Sequence, residues 1–461
     1  MNTRELILDI LLEIEREETY SSLLIRNVLD KYDYLSVKEK AFIKRVTEGT
    51  LERRIQLDHI IDAFSRTPVA KMKPLIRNVL RMSVYQLLFM DGVPDSAVCN
   101  EAVKLTVKRR FQNLKGFVNG VLRNIARSRQ DLLAEGRETV QGRPLYPAME
   151  ADPAGALSLR YSIPRSLISM WLNTYGVSET RQMVSTMLEI QPVTIRLKEG
   201  LTEKRKLSLK KEMEDSGIEV REHPYLPYAW QLRKLEGVGK MPGFQEGDCT
   251  VQDVSSMYCV ECAGIRPGDL VVDVCAAPGG KSTHAAEKLQ GSGRVLARDI
   301  SEKKTALIWE NRQRMGYNNL EIEEWDAMMP DENLVQKADV VLADLPCSGL
   351  GILGKKRDIK YQLTKEMLFQ LPCIQKNILD TVWRYVKPGG ILMYSTCTIR
   401  EDENEEIVSW FLEKYPFEPV DLSQELAAVP GGDQGKQGYF QFFPGKHETD
   451  GFFLAKFRRL P

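Results

Sequence analysis

A buried strand that runs straight into a glycine turn and a helix constrains this chain more than any other stretch. Leu270-Val-Val-Asp-Val-Cys275 has the short, nearly unbroken apolar character of a strand covered on both faces. Ala276-Ala-Pro-Gly-Gly-Lys-Ser-Thr283 follows it and opens a helix. From Gly243 onward strands and helices alternate, with further strands at Gly293–Asp299, Leu320–Glu324, Ala338–Asp344 and Gly390–Met393. That alternation predicts a doubly wound α/β sheet. In such a sheet ligands bind beyond the carboxyl ends of the strands.

The residues at those ends select the ligand. Gly280-Lys281-Ser282 ends like a phosphate-binding loop, and Ala338–Asp344 could pass for the acidic strand of an ATPase. That loop needs a glycine five positions before the Gly-Lys pair, where this chain has Cys275, and Pro278 removes an N–H from the cradle. Asp299 closes the next strand about 20 residues past the glycines, the place where a ribose diol is gripped. Asp326, after the third strand, suits an adenine amino group. Carboxylates meeting sugar and base favour a nucleoside with no phosphate to repel, and S-adenosylmethionine fits better than ATP or NAD. The predicted cofactor site is Cys275, Ala276, Ala277, Pro278, Gly279, Gly280, Lys281, Asp299, Asp326 and Asp344.

Two cysteines stand at the same edge. Cys347 lies in Asp344-Leu-Pro-Cys-Ser after one apolar strand, and Cys397 in Tyr394-Ser-Thr-Cys-Thr after another. A buried cysteine usually packs as a small hydrophobe. Delivery of both to the ligand edge makes them candidates for nucleophilic chemistry instead.

Composition bounds the rest. At 461 residues the chain should hold two or three domains. Lys+Arg and Asp+Glu both number 64, so a polyanionic partner would need a local basic surface. Eight cysteines do not make a disulfide framework, and the first residues lack a secretory pattern. No apolar run reaches the length of a membrane span, so a reduced, cytoplasmic protein is expected. Cys259 and Cys262 have ligand-like spacing but no second pair, and the four histidines are scattered, so no metal is expected.

The first 140 residues read as helix, with Asn2 and Glu5 forming a capping-box signal before Leu6, Ile7, Ile10, Leu11 and Ile14 at helical spacing. Lys104, Lys108, Arg109, Arg110, Lys115, Arg123, Arg127 and Arg129 face only Glu101 within their own segment, a charge pattern suited either to phosphate binding or to a solvated face. A Pro- and Gly-rich linker follows near 135–155. Then strand Val193–Leu197, polar helix Glu203–Ser216 and strand Ile218–Val220 predict a small α/β module. The expected domains are therefore 1–140, all-α; 155–242, small α/β; and 243–461, Rossmann-like.

Taken together, Asp273-Val-Cys-Ala-Ala-Pro-Gly-Gly-Lys281, Asp344-Leu-Pro-Cys347-Ser-Gly and Ser395-Thr-Cys397 resemble the motif set of RNA cytosine-C5 methyltransferases. Lys115-Gly-Phe-Val-Asn-Gly-Val-Leu-Arg-Asn124 resembles the end of the NusB-like domain carried by one branch of that family, and Asp450-Gly-Phe-Phe453 its closing strand. The resemblance covers the whole chain. It implies a NusB-like helical domain, an RRM-like small module and a methyltransferase domain. The implied reaction is methylation of a cytosine in 16S (small-subunit) ribosomal RNA or its precursor, by an enzyme expected to be a monomer. It also implies site roles: Cys397 attacks carbon 6, Cys347 assists release, Asp344 meets the base near N3, and Lys281 contributes to the same site. DNA cytosine-C5 methyltransferases use the Pro-Cys cysteine with a Glu-Asn-Val motif, which is absent here. Gln252, Asp253 and Arg196 belong by resemblance to RNA- and site-forming motifs. Lys198 and Arg357 depart from the family, which has asparagine and proline there. An RNA-binding assembly factor that keeps only the cofactor pocket is the competing reading, although it would need neither thiol.

Overall fold

The computed structural model describes residues 2–17, 21–32 and 34–461. The chain divides into two compact units, Met1–Leu188 with Leu353–Gln362, and Glu189–Ile352 with Leu363–Pro461.

The first unit is helical. Its centre is the helix Pro74–Phe89, buried on nearly every side, as expected of a helix with no polar stripe. Helices Thr3–Glu17, Val37–Glu52, Arg54–Phe64, Asp95–Lys108 and Lys115–Arg127 contribute to the same core, with Leu6, Ile7, Ile43, Leu57, Leu80, Val118 and Leu122 all inside. Asn2 caps the first helix through the Arg4 N–H at 3.0 Å. The reciprocal half of the expected capping box is replaced: Glu5 turns to Lys108 (2.7 Å) and Arg109 (3.4 Å). A complete box forms instead at Ser36 and Glu39.

The basic stretch is more neutralised than its sequence suggests. Lys104 pairs with Glu101, Arg109 with Asp9, and Arg129 with Asp91 and Asp95. Arg110, Lys115, Arg123 and Arg127 are left exposed, without an ion-pair partner among the described residues. The segment Leu353–Gln362, which follows the Cys347 loop in sequence, is part of this unit. Lys360 donates to Glu52 O (2.8 Å), Arg357 pairs with Glu52 (3.2 Å) and Glu48 (3.6 Å), and the Arg54 guanidinium lies 3.8 Å from the Tyr361 ring centroid. Arg357, the departure from the family's proline, thus has two carboxylate partners here.

The second unit holds two sheets. The smaller is antiparallel, with β1 (Val193–Leu197), β2 (Glu219–Glu222), β3 (Ala229–Arg233) and β4 (Cys249–Val251) in the order β2-β3-β1-β4 and the helix Glu203–Asp215 packed on it. Two of its strands, β3 and β4, were not readable as strands. β3 follows a Pro- and Tyr-rich turn, and β4 is only three residues long.

The larger sheet has eight strands: β5 (Leu270–Asp273), β6 (Arg294–Asp299), β7 (Leu320–Glu324), β8 (Ala338–Asp344), β9 (Val386–Thr396), β10 (Phe417–Pro419), β11 (Tyr439–Phe442) and β12 (Phe452–Arg459). Their order is β10-β12-β9-β8-β5-β6-β7, with β11 also paired to β12. β5 through β9 pair in parallel, and β10, β11 and β12 pair antiparallel. The expected Rossmann-like core is therefore extended by an antiparallel edge. Val271, Val272, Val341, Leu342, Leu392 and Met393 are fully buried between the covering helices, which is why these strands read as continuous apolar runs.

Chain order moves outward from β5 to β6 and β7, then returns to β8 on the other side. The strand order thus reverses beside β5, and a crevice opens at the carboxyl ends of β5 and β8. Among the described residues no helix is long and apolar enough to cross a membrane. None of their His, Cys, Asp and Glu side chains cluster in a set that could hold a metal ion.

Candidate active site

The crevice at the strand reversal contains a cleft of ≈ 150 Å³ lined by Val251, Gln252, Asp253, Ser256, Asp273, Cys275–Pro278, Gly280, Lys281 and Asp344. Local sequence shapes its floor. Gly279 holds φ at +101°, and a Cβ there would meet Ile308 at 3.1 Å, so only glycine allows the turn to lie against the helix Glu302–Met315. Asn311 of that helix donates to Pro278 O at 2.8 Å. The helix Gly280–Lys288 then starts under the cleft with its first N–H groups free of intrahelical partners.

Three carboxylates, Asp253, Asp273 and Asp344, line the cleft against one ammonium, Lys281. Asp273 is 1% exposed; its Oδ2 accepts the Ser282 hydroxyl at 2.6 Å, and its Oδ1 has no partner. Burial pushes its carboxyl up to about 7. An acceptor-rich cleft with an orphaned buried carboxylate oxygen fits a ligand that brings positive charge and hydrogen-bond donors, such as a sulfonium that also carries an ammonium group. It repels a polyphosphate. The residues present therefore fit S-adenosylmethionine and argue against the ATPase reading.

Asp299 and Asp326 are not part of that lining. Asp299 accepts the Ala277 N–H (2.9 Å) and the Ile300 N–H (2.8 Å) and pairs with Lys304 (3.0 Å), which ties the end of β6 to the loop after β5. Asp326 caps its own loop through the Met328 N–H at 2.9 Å.

Asp344 joins this cleft to the thiols. Lys281 Nζ donates to its Oδ2 at 2.6 Å, and the Ser395 hydroxyl donates to its Oδ1 at 2.9 Å. Burial alone would lower the Lys281 pKa, but the charge and hydrogen bond of Asp344, 2.6 Å away, together with Cys259 and Asp273 raise the ammonium above its usual range. Asp344 and Ser395 are direct partners across β8 and β9, so the loops that leave these strands run side by side. Cys347 and Cys397 consequently meet, half-buried, with their sulfurs 3.1 Å apart. The loops are pinned from behind: Gly351 N donates to Cys397 O at 3.0 Å and Gly451 N donates to Gly351 O at 2.9 Å. A Cβ on Gly351 would overlap Gly451 O, so this close approach requires glycine.

Two residues expected nearby behave differently. Gln252 and Asp253 line the cleft, but Arg196 is completely buried behind it. Its Nε donates to Gln252 Oε1 at 2.8 Å and its guanidinium pairs with Glu287. Arg196 therefore clamps β1 to the helix Gly280–Lys288 and is not placed to touch RNA. Lys198 donates to Met315 O at 2.9 Å. Sequence reasoning also missed Ser395 as the second donor to Asp344, and Glu403, which is 0% exposed and accepts the Ser348 N–H. Glu403 stands in the acidic run Glu401-Asp-Glu-Asn-Glu-Glu406, which reads as a solvated helix start; only its place six residues after Cys397 marked it.

Fold and site together define a Rossmann-like, S-adenosylmethionine-dependent methyltransferase. The chain is 33% identical over 465 residues to the probable ribosomal RNA small subunit methyltransferase B of Bacillus subtilis, covering 99% of both chains. It belongs to the ribosomal RNA small subunit methyltransferase B family. Ribosomal RNA small subunit methyltransferase B of Salmonella arizonae is 32% identical over 424 residues, with 91% of this chain and 90% of the relative covered. Residues 263–458 match the family described as 16S rRNA methyltransferase RsmB/F, and residues 1–127 match the NusB family. The crystal structure of PH0851 shares the fold at a TM-score of 0.77 and 23% identity over 98% of this chain and 97% of that one. A methyltransferase homologue from Pyrococcus horikoshii gives 0.54 and 25% over 66% of this chain and 98% of that one.

Proposed function

We propose that the chain methylates carbon 5 of a cytosine in small-subunit (16S) ribosomal RNA through a covalent cysteine adduct. The observation that carries this reading is the meeting of two thiols beside a carboxylate already paired to a buried lysine. Carbon 5 of cytosine is a weak nucleophile until a group adds to carbon 6. A thiolate is suited to that addition. Cys397 forms the bond to carbon 6, and Asp344 hydrogen-bonds the ring near N3, where charge changes during the addition. Lys281 holds Asp344 in place from the cofactor side. When bound, S-adenosylmethionine supplies the electrophilic methyl group. After transfer the carbon 5 proton is lost, the carbon 6–sulfur bond breaks with its electron pair returning to Cys397, and Cys347 assists this release. The target base has to leave any stack to reach the thiols. Arg110, Lys115, Arg123 and Arg127 on the helical unit, together with the small antiparallel sheet, are the proposed RNA-binding surfaces.

The test is incubation of the protein with unmodified 16S ribosomal RNA and methyl-labelled S-adenosylmethionine. Label recovered as 5-methylcytosine is the expected result, and RNA without label from the wild-type protein would overturn the reading. Cys347→Ala should accumulate a covalent RNA–protein adduct, and Cys397→Ala should form none. The reverse pattern would exchange the two roles.

A further inference from the structure

The peptide around Cys347 is gripped on both sides by one buried pair of side chains. Glu403 Oε2 accepts the Ser348 N–H at 2.9 Å and the Gln375 amide at 3.1 Å, while its Oε1 accepts Arg400 Nη1 at 3.0 Å. The same Gln375 amide donates to Pro346 O at 3.0 Å. The residues before and after Cys347 are thus tied to Gln375 and Glu403. The second thiol loop is tied in as well. Ser348 and Thr398 share a hydroxyl contact of 2.7 Å, the Tyr394 hydroxyl donates to Glu403 O, and Arg400 also donates to Leu368 O at 3.1 Å.

Burial raises the Glu403 carboxyl above its usual range, while the Ser348 N–H and the Arg400 guanidinium oppose this by stabilising its charged form. That charge sits on the peptide N–H next to Cys347, away from water, where Coulomb interactions are poorly screened. Placing a second negative charge on the Cys347 sulfur is unfavourable there. Only one proton is needed across the 3.1 Å contact between the sulfurs for one thiol to be a donor and the other a nucleophile.

We propose that Glu403 is a positioning residue acting through Cys347: it fixes the peptide around that thiol and keeps the thiol protonated, so that Cys397 is the member of the pair that ionises. This rests on the roles proposed above for the two cysteines. The titration of Cys347 runs in the same direction. Its hydrogen bond to Cys397, its burial, and the charges of Cys397 and Glu403 all raise it well above the ordinary thiol value.

The experiment compares the rates at which iodoacetamide alkylates Cys347 and Cys397, resolved by peptide mass spectrometry across pH, in wild type and in Glu403→Gln. In wild type Cys397 should react first and Cys347 only at higher pH. In E403Q the Cys347 profile should move to lower pH, with its alkylation at pH 8 about tenfold faster, one unit of pKa being tenfold in thiolate. Methyl transfer should fall in kcat with little change in KM for RNA. An unchanged Cys347 profile in folded E403Q overturns the proposal. Glu403→Asp keeps the charge and should leave the Cys347 profile at its wild-type position while still lowering kcat. If E403D shifts the profile as E403Q does, packing and not charge governs the thiol, and the proposal falls. Should E403Q not fold, the E403D profile decides alone: held at the wild-type position it supports the proposal, moved to lower pH it overturns it. Alkylation is read without RNA or cofactor, so a wild-type protein that fails to methylate RNA would remove the proposed reaction without altering this comparison.

Discussion

Two lysines of this chain are buried almost equally, Lys281 at 9% and Lys360 at 5% exposure, yet their surroundings drive them in opposite directions. Lys281, in the methyltransferase unit, meets the Asp344 carboxylate at 2.6 Å and is held charged. Lys360, in the helical unit, donates to a neutral carbonyl, Glu52 O, with Arg53, Arg54 and Arg357 nearby. Its burial lowers its pKa, those guanidiniums lower it further, and the Glu52 charge only partly offsets them. Burial by itself therefore does not set the charge of a lysine. The partner does: a carboxylate at a strand end next to the cleft for Lys281, against a main-chain carbonyl inside a helical core for Lys360.

The largest effect should come from breaking the pair in the methyltransferase unit. Asp344→Asn is expected to lower methyl transfer by about 10²–10³-fold, the range for losing one preorganised polar group at a reacting centre. It should also destabilise the fold, because Lys281 would be left buried without its counter-charge. About 3 kcal/mol is the lower end for such a loss, and Asp344 is partly exposed. Labelled-methyl assays and urea unfolding measure the two effects. A D344N protein as active and as stable as wild type would erase the contrast between the two lysines.

Asp273→Asn should give an intermediate effect, seen in binding. Because burial raises Asp273 to about 7, the folded chain keeps a proton that an unfolded aspartate releases near pH 4. The stability contributed by this group therefore falls as pH rises from about 4 to about 7. A cationic cofactor favours the ionised form, so wild-type affinity for S-adenosylmethionine should increase between pH 6 and 8. Calorimetry should show that rise flattened in D273N; an equal slope in both proteins would remove Asp273 from the cofactor site.

Lys360→Met should have the smallest consequence, of about 1 kcal/mol, since it removes a hydrogen bond to a carbonyl but also the burial of a charge. Its signature is in pH. The folded chain gives up the Lys360 proton at lower pH than the unfolded chain, so stability from this group rises with pH until the ordinary lysine range near about 10.4. Thermal unfolding across alkaline pH should show that rise in wild type and its loss in K360M. Persistence of the rise in K360M would place its source elsewhere.

Much of this was legible before the fold was known, for reasons that are local. The β5 strand, its glycine turn and the helix at Gly280 are written in adjacent residues. The cysteines were visible as candidates because each follows an apolar strand. The small sheet was half legible: β1 and the polar helix showed their periods, while the three residues of β4 carry too little pattern to register. The basic stretch at 101–130 was misleading in part, because Glu5, Asp9 and Asp91 neutralise it from elsewhere in the chain.

By itself the sequence determined the order of the parallel strands and their helices, the glycine turn after β5, and the arrival of acids and thiols at strand ends. These follow from steric preference and hydrophobic period, which act over a few residues. Tertiary structure alone decided which of those groups meet. Fifty residues separate Cys347 from Cys397, and only the parallel pairing of β8 with β9 sets their sulfurs 3.1 Å apart. It also chose Arg196 and Glu403 for the interior and gave each its partners. Burial and charge pairing depend on what the rest of the chain brings alongside, and that is a property of the fold and not of the neighbouring letters.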